Sequence, residues 1–362
     1  MGNPVVKAVP EDFVVREVMA LPERTSEDPR HTYLNLRKKG YTTFEAMDLV
    51  ARHLELPADA VSAAGLKDED GVTEQTLSVA ADVPSVILDA FNRRWTPGTG
   101  RWLSLGRAGR GARRVGIGEL LGNAFLLTLR GMEADDAARL RAVPRGEAPV
   151  LFANYYDTQR FGVAGGPKVT HLIGQALLDG DLDLAFALLR TSGSHEGDLA
   201  LRHTGGAEEF FAGLDQRVTA FYRTAHSSYL WNHRLARRLE RHGPEVEQTE
   251  REGLGYTFPT APRPLLGLLA ELPEMEYDKW RWSDGAARRT VSRRPTVLQT
   301  VVTVRDVEPD DMFGGLWKCE VSFMLPSGAY ATNVVSQFLL QLAHADRSRA
   351  ALTTAVARAD AA

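Results

Sequence analysis

Ala63-Ala64-Gly65-Leu66-Lys67-Asp68-Glu69-Asp70-Gly71-Val72-Thr73-Glu74-Gln75 is the stretch around which the rest of the chain is organised. Upstream, residues 60–64 are small or β-branched and read as a short strand; downstream, Thr73 to Val79 alternates as a second strand. The charged tip between them carries Asp68 at a strand end, beside Lys67 and flanked by glycines that let the backbone bend. These residues alone leave two readings open. One is a solvated hairpin turn, for which such residues are favoured; the other is an exposed carboxylate, held by a neighbouring cation and able to act as a nucleophile.

On the N-terminal side, Thr42-Thr43-Phe44-Glu45 offers a capping box. Phe44, Met47, Val50, Ala51 and Leu54 then follow at helical spacing until Pro57, which predicts a helix over about 43–56. Residues 31–38 alternate as a strand. So do residues 7–18, where Pro10 opens an extended segment and Phe13, Val15 and Val18 face a core. Residues 21–30, rich in Pro, Glu, Asp, Ser and Arg, read as a mobile loop.

On the C-terminal side come a short helix over 85–91 and a glycine-punctuated entry, residues 115–123, into a strand that runs to Arg130. A helix over 133–140 and a linker over 144–149 follow. Residues 171–190, 207–222 and 226–242 have helical apolar spacing, with the glycine-containing stretch 193–206 as a separator. Strands return over 296–304 and 317–325, then a turn at Pro326-Ser327-Gly328, a helix over 332–343 and an alanine-rich tail. The fold class is therefore α+β. A discontinuous first domain, 1–157 with 306–362, is interrupted by a helix-rich unit over 158–305.

Length and composition bound the function. The 362 residues suffice for about two domains of typical size, and the 44% hydrophobic and 25% charged fractions are those of ordinary globular proteins. No apolar run approaches the ~20 residues that span a bilayer. Glu11 and Asp12 precede any apolar run, which argues against a secretory signal, and Val6 spoils a myristoylation site. Cys319 is the only cysteine, so no intramolecular disulfide and no cysteine-cluster metal site is possible, as suits a reducing cytoplasm.

Other chemistries find little support. There is no H-E-x-x-H, and His226 and His233 stand two helical turns apart, a poor chelate. The segment 162–168 has proline where a phosphate loop needs glycine before its lysine; Gly116, Gly118 and Gly122 lack the dinucleotide spacing; Ser327 is not in G-x-S-x-G. The net charge of −4 hides a local reversal. Arg93, Arg94, Arg101, Arg107, Arg110, Arg113 and Arg114 follow one another without an acidic residue, interleaved with Trp95 and Trp102. This reads either as a phosphate-contacting surface or as a solvated arginine-rich loop; Arg234, Arg237, Arg238 and Arg241, near one helix face, invite the solvated reading. An exposed aspartate, nearby cations and a basic strip suit carboxylate chemistry on a nucleic acid, with no sign of a metal or other cofactor.

Separated blocks of the chain resemble the TruD family of RNA pseudouridine synthases. They are Lys7 with Pro10-Glu11-Asp12-Phe13-Val14-Val15, then Gly65-Leu66-Lys67-Asp68 with Val72-Thr73 and Gln75, then Gly118 with Gly122-Asn123-Ala124-Phe125, then Asn154-Tyr155-Tyr156 with Gln159-Arg160-Phe161-Gly162. Leu325-Pro326-Ser327-Gly328-Ala329-Tyr330-Ala331-Thr332 resembles the family's closing segment. The resemblance implies a pseudouridine-synthase fold with a mixed, mainly antiparallel sheet, and an inserted helix-rich domain forming the other wall of an RNA cleft.

It also implies that Asp68 is the catalytic aspartate, with Lys7 or Lys67 as the cation that keeps it ionised. Phe125 would stack on a flipped uracil and Asn123 would hold the loop or the base edge. Arg101, Arg107, Arg110, Arg113 and Arg114 would track phosphates, with Asn154, Gln159, Arg160 and Phe161 as further RNA contacts. The implied substrate is a uridine of structured RNA, the family site being uridine 13 of transfer RNA. No cofactor, metal or membrane is implied, and the oligomeric state is open. Two departures stand out: Gly71 replaces a usual alanine, and Asp157 replaces a common glycine, adding negative charge near the RNA. Two alternatives stay open: a TruD-like enzyme supplying pseudouridine to C-nucleoside biosynthesis, and a non-catalytic RNA-binding or RNA-folding module.

Overall fold

The structure, a computed structural model, describes residues 4–21, 30–96, 100–116 and 119–359, with side chains as far as Asp346. Most of the loop read over 21–30 lies outside the described residues, as do Gly118 of the third resembling block and the last three residues of the tail. The chain forms two compact units, Met1–Pro149 with Thr300–Gly328, and Val150–Gln299 with Ala329–Ala362.

In chain order, β1 (Val5–Val6) and a 3-10 turn at Pro10–Asp12 lead into β2 (Phe13–Met19) and β3 (His31–Lys39). Helix α1 (Thr43–His53) begins at the expected box: Thr42 Oγ1 accepts from the Glu45 amide at 3.1 Å, and Glu45 Oε2 from the Thr42 amide at 2.8 Å. Its buried stripe is Thr43, Ala46, Val50 and Ala51. Phe44, expected on that stripe, is instead 66% exposed, in the first turn of the helix.

Next come β4 (Val61–Ala63), β5 (Val72–Val79), α2 (Ser85–Trp95), β6 (Trp102–Gly111), β7 (Leu120–Met132), α3 (Ala134–Arg141) and β8 (Glu147–Ala153). Helices α4 (Thr170–Asp179), α5 (Leu182–Arg190), α6 (His195–Arg202), α7 (Ala207–Gly213) and α8 (Gln216–Arg241) follow. The chain closes with β9 (Val246–Arg251), β10 (Leu254–Pro259), α9 (Pro262–Glu271), β11 (Glu274–Ser283), β12 (Ala286–Pro295), β13 (Val297–Pro309), β14 (Trp317–Leu325) and α10 (Ala331–Ala359).

The main sheet runs β6-β3-β5-β2-β7-β14-β13-β8, with β1 on β7 and β4 on β5. Among the described pairings β2–β5 alone is parallel, so the sheet is mixed and mainly antiparallel, as expected. Leu34 and Leu36 of β3, Leu77 and Val79 of β5, and Leu103 and Leu105 of β6 pack with Val50 of α1 and Phe91 of α2 in one core. Each such side chain, fully buried, contributes roughly 1.5–3 kcal/mol. A buried ion cluster anchors the opening turn. Arg130 Nε on β7 lies 2.9 Å from both Asp12 oxygens, and its Nη1 lies 3.1 Å from Asp310 and 2.7 Å from Asp311.

The second unit differs from its expected form in three ways. Helix α10 and residues 150–157 belong to it rather than to the first: Asn333 Nδ2 donates to the Tyr155 carbonyl at 3.0 Å and Gln341 Nε2 to that of Leu151 at 3.0 Å. The separator at 193–206 contains α6, capped by Ser194 Oγ, which accepts from the Gly197 amide. The unit is helix-rich, as expected, but also carries two hairpins absent from the sequence reading, β9–β10 and β11–β12. Its cores are the α4–α7 cluster closed by Tyr222 of α8, and an aromatic one around Tyr155, Phe161, Trp231 and Phe258.

Candidate active site

In the first unit, β4 and β5 pair in register from Val61–Val79 to Ala63–Leu77, and the loop 64–71 projects from their ends. Its backbone is bound at several points. The Lys67 amide donates to Thr43 Oγ1 at 3.0 Å, and that hydroxyl donates to Gln75 Oε1 at 3.0 Å. Gln75 Nε2 in turn donates to the Gly65 carbonyl at 3.3 Å. The Gly40 amide donates to the Glu69 carbonyl at 3.1 Å. Lys38 Nζ, on β3, donates to the carbonyls of Tyr41 at 2.8 Å, Lys67 at 3.1 Å and Asp68 at 2.6 Å. The loop is thus a fixed mount, and the Asp68 side chain, 46% exposed, stands out from it.

The cation facing that carboxylate is Lys7, with Nζ 3.8 Å from Asp68 Oδ2. Lys7 has φ +84, a region a side chain occupies at a cost of order 1–3 kcal/mol. Its ammonium also lies 4.6 Å from the Phe13 ring centroid. Lys67, the other candidate, points elsewhere: its Nζ is 2.8 Å from Oε1 of Glu17, whose side chain is fully buried and whose Oε2 accepts from the Thr76 amide at 3.0 Å. Its role is therefore to neutralise Glu17 beneath the loop.

Strand register brings the third block to the same place. On β7, Phe125 lies opposite Val15 and Asn123 opposite Glu17; across the other edge, Phe323 and Leu325 face the same two residues. Phe125 is stacked on Phe323 at 5.5 Å and meets Phe13 edge-on at 6.1 Å. It is 9% exposed, so most of the ring surface proposed for base stacking is already covered. Asn123 Oδ1 is buried and has no hydrogen-bond partner among the described residues, a costly state that a ligand N–H would relieve. Gly71 has a reason too: a Cβ there would lie 2.7 Å from the Phe13 carbonyl oxygen.

The arginine strip is not the bare cationic surface its sequence suggests. It runs along β6, an edge strand, and carboxylates from elsewhere meet it. Arg101 pairs with Glu45 at 3.1 Å, Arg107 and Arg110 with Asp82 at 3.2 and 3.5 Å, and Arg113 with Glu119, while Arg114 Nε is 3.4 Å from Ser62 Oγ. Arg101, Arg107, Arg110 and Arg113 are thus partly exposed but paired, Arg107 and Arg110 sharing one carboxylate, whereas Arg114 has no described carboxylate partner.

The fourth block lies in the second unit, and its residues separate by burial. Asn154 is buried, donating to the Pro295 carbonyl at 2.8 Å and accepting from Arg294 at 2.6 Å. Phe161 is fully buried against His171 and Tyr229 and offers no face to a base, a correction to its expected role. Arg160 lies over Phe221 at 4.6 Å and donates to Ser228 Oγ; Gln159 is exposed. Asp157 is buried 3.6 Å from Arg251, so its charge is spent internally rather than on the surface. Burial raises its carboxyl above the usual value, against the pull of Arg251.

The run on α8, by contrast, lines an open groove. Arg234, Arg237, Arg238 and Arg241 line a cavity of about 900 Å³ together with Arg293 of β12, the apolar Leu272, Pro273 and Met275, and the carboxylates Glu274 and Glu276. Glu276 pairs with Arg293 and Glu271 with Arg238; Arg237 and Arg241 make no described ion pair.

Two residues of the first-unit site, Lys38 and Glu17, escape the sequence reading. Each occupies an inward position of an alternating strand, a signal in itself, since a buried charge needs a partner.

A family profile described as tRNA pseudouridine synthase D (TruD) matches residues 3–198. A tRNA pseudouridine synthase D of Geobacter sulfurreducens is 37% identical over 184 residues, 51% of this chain and 42% of that protein. Its counterpart in Geobacter metallireducens is 36% identical over 185 residues, with the same shares. The aligned region thus spans well under half the length of these curated relatives. A crystal structure from Methanosarcina mazei assigned to TruD has the same fold, with a TM-score of 0.56, 19% identity and 93% of each chain covered. With more than half its residues matched by the family profile, the chain belongs to the tRNA pseudouridine synthase D (TruD) family.

Proposed function

We propose that this protein is an RNA pseudouridine synthase that isomerises a uridine of structured RNA, uridine 13 of transfer RNA being the family site, with Asp68 as its catalytic carboxylate. The observation that carries this reading is Asp68 on its backbone-bound loop with the Lys7 ammonium, from the segment after β1, 3.8 Å from its carboxylate. The reaction breaks the bond from ribose C1′ to uracil N1 and forms one from C1′ to C5, while the proton leaving C5 is balanced by one gained at N1. It is redox-neutral and conserves every atom. The carboxylate assists departure of the base from C1′, with the Lys7 ammonium 3.8 Å away as its counter-ion. Asn123 Oδ1, unpartnered among the described residues, accepts from an uracil N–H, and the Phe13, Phe125 and Phe323 rings form the apolar wall beside it.

The groove with Arg237 and Arg241 supports RNA contact by the second unit, since these guanidinium groups have no described counter-ion to displace. Purified protein incubated with a transfer-RNA pool, without added cofactor, and mapped by carbodiimide-dependent reverse-transcription stops tests the reading. A new stop at one uridine is expected; RNA binding without any new stop refutes it in favour of a binding module.

A further inference from the structure

We propose that Lys38 is a positioning residue for Asp68, fixing the orientation of the catalytic carboxylate by gripping the two peptide groups that flank the Asp68 Cα. The carbonyl of Lys67 belongs to the peptide before that carbon and the carbonyl of Asp68 to the peptide after it, and Lys38 Nζ donates to both, at 3.1 and 2.6 Å. Its third proton goes to the Tyr41 carbonyl at 2.8 Å, which ties the ammonium to the turn between β3 and α1. Three N–H donors meet three carbonyls, a match that among side chains suits an ammonium and not a planar guanidinium of fixed fork geometry.

Lys38 is fully buried and makes no described ion pair with a carboxylate. The charges facing it are Asp68, Glu69 and Lys67 on the loop and Glu45 on α1; Thr73 of β5 and Leu103 of β6, opposite it in register, are uncharged. An apolar side chain would suit this position for packing, but it would leave the carbonyls around Asp68 without a donor. A buried lysine is costly unless its hydrogen bonds serve the loop.

The grip is titratable. Burial brings the Lys38 ammonium down to about 8, against the pull of Asp68 and Glu69. Above that pH the neutral amine has two N–H donors for three carbonyls. Global stability moves the other way. Between about 8 and the ordinary lysine value the unfolded chain binds more protons, so raising the pH favours the fold. An alkaline fall in turnover without a fall in melting temperature therefore marks positioning rather than unfolding.

The inference rests on the reading of Asp68 as catalytic, and one arm of its test does not. In RNA-free protein at neutral pH, hydrogen exchange of amides 65–70 should speed up by roughly tenfold or more in Lys38→Met, with exchange elsewhere in β3 and β5 unchanged. In turnover of transfer RNA, Lys38→Met should lower kcat by about 10²-fold, the loss expected for a misplacement of about 1 Å, with KM nearly unchanged. Wild-type kcat should fall about tenfold per pH unit above pH 8, a limb absent from Lys38→Met. Unchanged loop exchange, or the same alkaline limb in both proteins, overturns the proposal. Where Lys38→Met does not fold, the wild-type profile beside its melting curve decides: a flat kcat to about pH 9, or a parallel loss of fold, overturns it. Faster loop exchange in a protein without synthase activity refutes the functional reading alone.

Discussion

Replacing Lys67 by methionine keeps the volume of the side chain and removes the cation that faces Glu17. The two charges are 2.8 Å apart, with side-chain exposures of 9% and 0%. At an effective dielectric of about 20 their attraction is about 6 kcal/mol, much of it offset by the cost of desolvating both ions. Breaking such a pair from one side leaves an uncompensated buried charge and typically costs about 3–5 kcal/mol. The lower figure applies, because the Thr76 amide still donates to Glu17 Oε2 at 3.0 Å. Urea unfolding of the wild type, Lys67→Met, Glu17→Gln and the double variant measures this directly. Lys67→Met should lose about 3 kcal/mol, and adding Glu17→Gln should restore about 1–3 kcal/mol of it, since the carboxylate no longer needs a counter-ion. A loss below about 1 kcal/mol, or a double variant no better than the single, refutes the assignment of Lys67 to Glu17.

Gly71→Ala places a Cβ 2.7 Å from the Phe13 carbonyl oxygen, so it should cost about 1–3 kcal/mol and displace β2; a melting curve superimposable on the wild type would contradict this. Arg237→Glu with Arg241→Glu should weaken transfer-RNA binding and flatten its salt dependence, by about one log unit of affinity per log unit of salt for each phosphate no longer neutralised, with kcat preserved; binding titrations at several salt concentrations read both. Asp311 is held below the usual carboxylate range by Lys318 and Arg130. Asp310 is held there by the amides of Met312, Gly131 and Phe313 and by Arg130, which outweigh its burial. The stability these carboxylates supply is complete above their ordinary value near 4 and is lost as the pH falls towards their native values. Arg130→Met should therefore melt earlier at neutral pH yet lose less on acidification from about pH 5 to 2, as thermal scans across that range would show.

The elements legible in the sequence were those whose signals are local. The Thr42–Glu45 box fixed the start of α1, and the alternating patterns fixed β5 and β14. What was missed depends on residues far apart in the chain. The strip from Arg93 to Arg114 has no acidic residue of its own, so nothing within it announces that Glu45, 56 residues before Arg101, and Asp82, 25 before Arg107, fold onto it. Lys67 reads as a neighbour of Asp68 because it is adjacent in sequence, yet its partner lies 50 residues earlier on β2.

The hairpins β9–β10 and β11–β12 were invisible for another reason. Strands such as Val246–Arg251 are polar on nearly every position, so no period-2 apolar signal rises above the charge. Phe161 entered as an RNA contact only through the family resemblance; in the fold its ring packs with Tyr155 and Tyr156 in the aromatic core, a burial that the sequence around it does not announce. Within the candidate site, Asp68 was legible from its own stretch, and Lys7, Asn123 and Phe125 only through the family resemblance; Lys38 and Glu17 were not legible, because a buried charge is recognisable only once its strand faces are known.

If Asp68 performs the chemistry, Asp68→Asn, isosteric with the native side chain and still able to keep the loop's hydrogen bonds, tests it most directly. Pseudouridine content of transfer RNA, quantified by nucleoside mass spectrometry after incubation with equal amounts of wild type and variant, is the measurement, with RNA affinity determined alongside. Stoichiometric conversion of one uridine by the wild type, none by Asp68→Asn, and similar affinity for both are expected; conversion by Asp68→Asn at a rate near the wild type would contradict the assignment.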